Sequence, residues 1–219
     1  MRNQFLKYEL LDGAVCEGRY GLPVIPAVNE IPKKIIPFNQ AMTFPVEERK
    51  DVWVHFFIDD YQFERIWNNP QRYALLLEQF AGIIQPTFSF FVNAPLCTQL
   101  INAYRNQLLA HYFTKCGIKV IPVPGFGDES TFNWCFEILP QNSVLALSTI
   151  SNKDEKIWLE AYKEIKRRLT PTAILIYGAV PKELQDDKTI IHYANFYEIL
   201  KERNKKDDER RKNTLWNDW

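Results

Sequence analysis

The sequence predicts an α/β fold in which short buried strands alternate with amphipathic helices. Three observations predict it: a length of 219 residues, seven short apolar runs, and helical periodicity between most of these runs. We expect an irregular leader over 1–32, a single α/β domain over 33–200 and a charged C-terminal helix or tail over 201–219. The leader is expected to be irregular because six glycines and prolines interrupt it.

The predicted strands are rich in β-branched and aromatic residues, and their near-continuous apolarity is typical of strands that helices cover on both faces. They are 35–38, 52–58, 82–88, 118–123, 143–149, 173–179 and 189–194. This pattern fits an incomplete (β/α) barrel or an open doubly wound sheet, and we favour the barrel-like form. Both forms bind ligands at the carboxyl ends of their strands, so any active site is expected in the loops that follow the strands.

Four segments have helical patterns: 61–80, 95–116, 129–139 and 152–169. The first is interrupted near Pro70, which suits a helix start. The last begins with a capping signal at Ser151 and Asp154. In segment 95–116 the apolar stripe predicted to face the core consists of Leu96, Leu100, Tyr104, Leu108 and Tyr112. Gln99, Asn102 and Asn106 share a separate polar face of the same helix.

Composition excludes several classes of protein. Lys+Arg and Asp+Glu are both 27, so no global field draws the chain to nucleic acid or anionic lipid. No apolar stretch reaches the length of a membrane span or a signal peptide, so we expect a cytoplasmic protein. The four cysteines form no C-x-x-C pair, which predicts reduced, buried thiols.

Four blocks of the sequence carry a family resemblance: HFFIDDYQFERIWNNPQRY at 55–73, NAPLCTQLINAYRNQLLAHYFTKCGIKVIPV at 93–123, NWCFEILPQNSVLALST at 133–149 and LTPTAILIYG at 169–178. They resemble a family common on phages and other mobile elements, domain of unknown function 4417. The likeness runs from about Ile35 to Asn195 and implies an intracellular mobile-element protein; the family has no established reaction. In members of the family an acidic residue commonly follows the proline where this chain has Thr87, which implies that an activity carried by that acid is missing here.

Asp59 and Asp60 are the first candidates for catalysis, because they follow a predicted strand and precede a helix. Paired carboxylates at such a position bind Mg²⁺ or divide the roles of general acid and base. The alternative is that they cap the helix N-terminus. Any cofactor is therefore expected to be at most a divalent metal held by these two residues.

Other strand-end residues supply weaker candidates. Asp128 follows the glycines of PGFGDES at 124–130 and is a candidate catalytic residue, with helix capping as the alternative. His192, near the end of the last strand, is a candidate general base, whereas His55 and His111 are expected to pack. The candidates for substrate binding are Asn39, Thr87, Ser89, Gln99, Asn102, Arg105, Ser148 and Tyr177. Local turns, caps and a solvated helix face explain these polar residues as well.

Two classes of function follow. The leading hypothesis is an enzyme that acts on a nucleotide, nucleobase or nucleic acid by hydrolysis or glycosyl transfer, with Asp59 or Asp60 as acid or base. The alternative is a noncatalytic protein that sequesters a nucleotide signal or masks a host protein, with Trp216 and Trp219 as possible contacts. A deep cleft lined by carboxylates favours the enzyme, whereas a shallow apolar face favours the binding protein. A DNA-binding factor would need a basic surface.

Overall fold

The computed structural model describes residues 5–92, 94–150, 154–201 and 205. Strands and helices alternate along the chain, so the predicted α/β class is confirmed. The strands are β1 (Cys16–Glu17), β2 (Leu22–Pro23), β3 (Ile35–Pro37), β4 (Trp53–His55), β5 (Gly82–Ile84), β6 (Val120–Ile121), β7 (Val144–Ser148), β8 (Ala173–Tyr177) and β9 (Ile190–Tyr193). The α-helices are α1 (Phe38–Ala41), α2 (Asp60–Asn68), α3 (Pro70–Leu77), α4 (Leu96–Lys115), α5 (Glu129–Cys135) and α6 (Glu155–Leu169). Another helix begins at Phe196.

Two parallel sheets hold the predicted strands in sequential order. The first sheet has the order β3-β4-β5-β6 and the second has the order β7-β8-β9. The amide of Ala146 donates to the carbonyl of Pro122 at 3.0 Å and joins the two sheets. Sequential order lacks the reversal that defines a doubly wound sheet. Among the described residues, however, the strands do not close into a barrel.

Side chains alternate between two faces of these strands, because successive residues of a strand point in opposite directions. On one face, each strand from β3 to β9 contributes to a single apolar cluster through Ile35, Trp53, Ile84, Ile121, Val144, Ala146, Ala173, Leu175, Ile191 and Tyr193. On the other face the strands pack against helices: Val54 and Ile83 join the cluster of α2, α3 and α4, whereas Leu145 and Ile174 join that of α5 and α6. Both faces of the strands are therefore covered, which explains their continuous apolarity.

Helix α4 corrects one prediction about burial. The stripe predicted to face the core begins with Leu96, which is 49% exposed, whereas Gln99, Asn106 and Gln107 are 4–6% exposed. Part of the buried face of this helix is therefore polar. The predicted end of α4 is found: Gly117 has φ +82°, and the amide of Ile118 donates to the carbonyl of Phe113.

Two further predictions differ from the structure. All four cysteines are free, but only Cys135 is buried, while Cys16, Cys97 and Cys116 are exposed. Helix α6 is capped by Asp154, whose carboxylate accepts the amide of Lys156 at 3.0 Å, and Ser151 lies outside the described residues.

Candidate functional site

The carboxyl ends of the two sheets meet at a group of aromatic rings. His55 ends β4 and Tyr177 ends β8, and their ring centroids are 4.3 Å apart. Phe57 follows β4 and stacks on Tyr177 at 5.7 Å. The loops after β4 and β8 therefore lie on the same side of the molecule, where α/β proteins place their ligands.

His55 and Tyr177 are packed rather than solvated. His55 is 1% exposed, and burial lowers its pKa to about 3, so the imidazole is neutral at physiological pH. Its Nδ1 lies 3.2 Å from the amide of Phe57, which donates to it. Burial also raises the pKa of Tyr177. Tyr177, a predicted substrate-binding residue, therefore has its ring among the rings at the strand ends.

Four predicted site residues meet in one polar network. The two carboxylate oxygens of Asp60 accept the hydroxyl and the amide of Ser89, each at 3.0 Å. Asn102 Nδ2 donates to the carbonyl of Ser89 at 2.8 Å, and Arg105 Nη2 lies 2.5 Å from Glu64 Oε1. We call Asp60, Glu64, Ser89, Asn102 and Arg105 the latch. The latch connects α2, α4 and the loop over 85–95.

The geometry of the latch favours a structural role. Arg105 is only 15% exposed, and its guanidinium carbon lies 3.5 Å from the centroid of the Phe88 ring. Asn106 clamps the backbone of Phe88 by accepting its amide at 2.7 Å and donating to its carbonyl at 3.1 Å. Gln99 Nε2 donates to the carbonyls of Phe91 and Ala94. The polar face of α4 therefore satisfies the backbone of the loop that follows β5.

Asp59 is arranged differently from Asp60. It occupies the N-cap position of α2 but its side chain makes no capping hydrogen bond. Its Oδ2 lies 3.5 Å from Gln62 Nε2, and the residue is exposed. The two neighbouring carboxylates thus have different partners. Within the described parts of the chain, no group of three or more His, Cys, Asp or Glu side chains is arranged to hold a metal ion.

In the described parts of the chain, the other two candidate catalytic residues make no hydrogen bond to the latch. Asp128 caps α5 by accepting the amide and the hydroxyl of Ser130 at 2.9 and 2.5 Å. His192 is exposed on β9, with Nε2 3.5 Å from Glu198 Oε1. Its neighbours in sequence, Ile191 and Tyr193, pack in the apolar cluster to which every strand from β3 to β9 contributes, so by alternation His192 points the opposite way.

The remaining candidates make local hydrogen bonds. Asn39 is exposed and donates to Gln62 Oε1 at 2.6 Å. Thr87 donates to the carbonyl of Gln85 at 3.0 Å, and Ser148 Oγ accepts the amide of Ile150 at 3.2 Å. Trp216 and Trp219 lie outside the described residues.

Exposed apolar side chains after the strands are the feature that sequence reasoning missed. We call them the strand-end rim: Tyr61, Phe91, Val92, Leu96, Ile150, Phe196 and Tyr197. Tyr61, Phe91 and Tyr197 are 77%, 62% and 74% exposed. A signal was present in FSFFV at 88–92, where aromatic residues continue beyond the strand into a loop.

Local contacts hold the rim residues in two groups. The bonds from Asp60 to Ser89 bring the start of α2, with Tyr61, to the loop that carries Phe91 and Val92. The second group lies around Gly178. A Cβ atom built on this glycine would be 3.2 Å from Ile150 Cγ1 and 3.4 Å from Asn195 Nδ2, so Ile150 and Asn195 both pack against Gly178. Asn195 and Glu198 form a capping box that begins the helix at Phe196.

One concavity lies between two helices, and another, much smaller, is lined by residues that follow β5 and β6. A groove of about 360 Å³ lies between α5 and α6 and is lined by Glu129, Phe132, Glu160, Lys163, Glu164 and Arg168. The Glu160 carboxyl raises the pKa of Glu129, because the two carboxyl groups are close enough to share a hydrogen bond. A cavity of about 20 Å³, lined by residues that include Gln85 and Asn106, is buried against α4. No helix in the described parts of the chain is both long and apolar enough to cross a membrane.

Comparison with known proteins identifies the family. The family described as Domain of unknown function (DUF4417) matches residues 14–194. The Gene 1 protein of Mycobacterium phage L5 is 29% identical over 163 residues, which cover 73% of this chain and 71% of that protein. The Gene 1 protein of Mycobacterium phage D29 is 26% identical over 163 residues, which cover 73% of this chain and 60% of that protein. No solved structure matches the chain. The resemblance seen in the four sequence blocks is confirmed, and the chain belongs to the family described as Domain of unknown function (DUF4417).

Proposed function

We propose that the protein is a noncatalytic binding protein that contacts a partner protein through the strand-end rim. The observation that carries this proposal is the exposure of large apolar side chains, among them Tyr61, Phe91 and Tyr197, on the loops and helix starts that follow the parallel strands. Exposed aromatic side chains are typical anchors of protein interfaces, because each removes a large apolar area from water on binding.

Two features of the site support binding over catalysis. The latch residues form hydrogen bonds with one another, and these bonds hold the loop over 85–95. The polar groups of Asp60, Ser89, Asn102 and Arg105 are therefore already engaged. A site that turns over a nucleotide needs a concave pocket that covers most of the ligand. The groove of about 360 Å³ lies between two helices, and the cavity beside β5 and β6 measures only about 20 Å³.

The latch preforms one of the two groups of the rim. It fixes the backbone of Ser89, and Gln99 fixes that of Phe91. A loop that is already ordered loses little conformational entropy when it binds, so its exposed side chains contribute more of their burial to affinity. Of the two noncatalytic roles considered, masking a protein therefore suits the rim better than sequestering a nucleotide.

The test is quantitative affinity capture from an extract of the organism that carries the gene. A variant with Phe91→Ser and Tyr197→Ser should bind a specific partner with an affinity lower by about 30-fold or more, because two interface anchors are removed. The matched control is Val46→Ser with Leu75→Ser, since both residues are more than 60% exposed and neither follows a strand. Equal capture by the rim variant and the control variant would reject the proposal.

One observation favours the enzyme as a second candidate. The Asp59 carboxylate follows β4, is exposed and makes one long hydrogen bond to Gln62, so it is available to a substrate. A thermal-shift screen against nucleotides, nucleobases and divalent metals tests this. A ligand-induced rise that Asp59→Asn removes would support a small-molecule site. No rise with any ligand would reject this candidate.

A further inference from the structure

Carboxylates follow four of the parallel strands and lie at the same end of the strands as the rim. They are Asp59 and Asp60 after β4, Asp128 and Glu129 after β6, and Asp154 and Glu155 after β7, together with the exposed Glu183 after β8. Those at the starts of α2, α5 and α6 are favoured by the positive ends of the helix dipoles. The geometry thus combines an apolar rim with a set of acidic side chains.

These carboxylates lack cationic partners in the described parts of the chain. None of the six that follow β4, β6 and β7 lies within 4.0 Å of a described Lys or Arg nitrogen. The described residues of the loops over 56–59, 85–95 and 122–128 contain no Lys or Arg at all. Lys153 lies outside the described residues. Two described lysines do lie at this end: Lys156, whose charge acts on Glu129, and Lys182, which precedes Glu183. Neither forms an ion pair with one of these carboxylates, so the carboxylates are the majority charge here and are not paired.

The opposite end of the strands differs. Lys34, immediately before β3, lies 3.2 Å from Glu48, and Lys119, immediately before β6, lies 2.5 Å from Glu30. Glu48 and Glu30 at that end are thus paired with lysines, whereas the six carboxylates after β4, β6 and β7 are not. The chain has no net formal charge, so this asymmetry is a property of the fold rather than of the composition.

We infer that the partner of the strand-end rim presents a cationic amphipathic segment, in which apolar side chains alternate with Lys or Arg. The inference rests on the proposed function and names the chemistry of its partner. Apolar side chains of such a segment would cover the rim, and its cations would approach the unpaired carboxylates. Complementary charge of this kind mainly increases the association rate and selects against wrong partners. It also disfavours a polyanion such as DNA at this face.

Two designed peptides of about 18 residues test the inference, because this length covers a helical interface. They share the same Leu and Phe positions and differ only in carrying Lys or Glu at the polar positions. Binding to the full chain is followed by fluorescence anisotropy at about 50 and 300 mM salt. The Lys peptide should bind about tenfold or more tightly than the Glu peptide at low salt, and this advantage should shrink at high salt.

Charge-reversal variants locate the effect. Asp59→Lys and Glu155→Lys should each lower the affinity for the Lys peptide by about fivefold at low salt. Glu47→Lys is the control, because Glu47 is exposed near the opposite end of β4. Phe91→Ser should weaken the Lys peptide as well, since the apolar rim contributes to the same contact.

Four outcomes would overturn the inference. If the two peptides bind equally and Phe91→Ser lowers the affinity for both, the proposed apolar surface is supported and its selectivity for cations is rejected. Binding of neither peptide would reject the cationic segment, while affinity capture still decides on the proposed function. Association of the chain with itself that Phe91→Ser abolishes would make a second copy the occupant. Equal, tighter binding of both peptides after deletion of 206–219 would make the chain's own C-terminal segment the occupant.

Discussion

Acid should destabilise the fold through His55 before the carboxylates titrate. His55 is 1% exposed, and burial lowers its pKa to about 3 in the folded protein. In the unfolded chain the pKa returns to about 6.5. Because the unfolded state then binds the proton more readily, the free energy of unfolding falls as the pH drops below about 6.5. With these two pKa values, the loss between pH 7 and pH 5 is about 2 kcal/mol.

Urea denaturation followed by tryptophan fluorescence at several pH values between 7 and 5 measures this loss. His55→Gln provides the control, since glutamine does not titrate there. The variant should be less stable at pH 7 because it loses the ring contact with Tyr177, but its free energy of unfolding should depend less on pH by about 2 kcal/mol over this range. Contributions from other groups, including Glu129, are common to both proteins and cancel in the difference. Parallel pH profiles would refute the reasoning.

Three other substitutions test the hydrogen bonds of the latch and the packing of the core. Asp60→Ala should lower the free energy of unfolding by about 1–3 kcal/mol because the amide and hydroxyl of Ser89 lose their acceptor, whereas Asp59→Ala should change it by less than about 0.5 kcal/mol. Thermal denaturation measures both variants. An equal loss of stability in Asp60→Ala and Asp59→Ala would show that the bonds from Ser89 to Asp60 do not stabilise the fold. Gly82→Ala should cost about 1–3 kcal/mol, because the added Cβ would lie 2.5 Å from the buried ring of Trp53. Unchanged urea denaturation of this variant would show that the ring can move.

Seven strands could be predicted from the sequence because burial on both faces leaves a direct signal, a run of apolar residues. The ends of these strands could be predicted less accurately. The run over 52–58 continues past the end of β4 at His55, since Phe56 and Phe57 remain in the core after the strand ends. The division of the strands into two sheets also left no local signal in the sequence, because strand pairing joins residues that are far apart along the chain.

The polar site shows what a linear pattern misses. Asp60 and Ser89 are 29 residues apart in sequence and meet only in the folded chain. On α4, the amides of Gln99 and Asn106 face inward because they bond to loop backbone, whereas periodicity assigns such residues to a face away from the core. The candidate residues were therefore identified individually, but their role in holding one loop required the structure.

Photo-crosslinking tests the central claim, that the strand-end rim binds a partner protein, most directly. A benzophenone amino acid is placed at Phe91 or Tyr197, with Leu75 as an exposed control position outside the rim. In extract of the organism that carries the gene, both rim positions should crosslink the same protein, in competition with the unmodified chain, and the control position should not. Crosslinking of that protein from Leu75 alone, or equally from all three positions, would contradict the account.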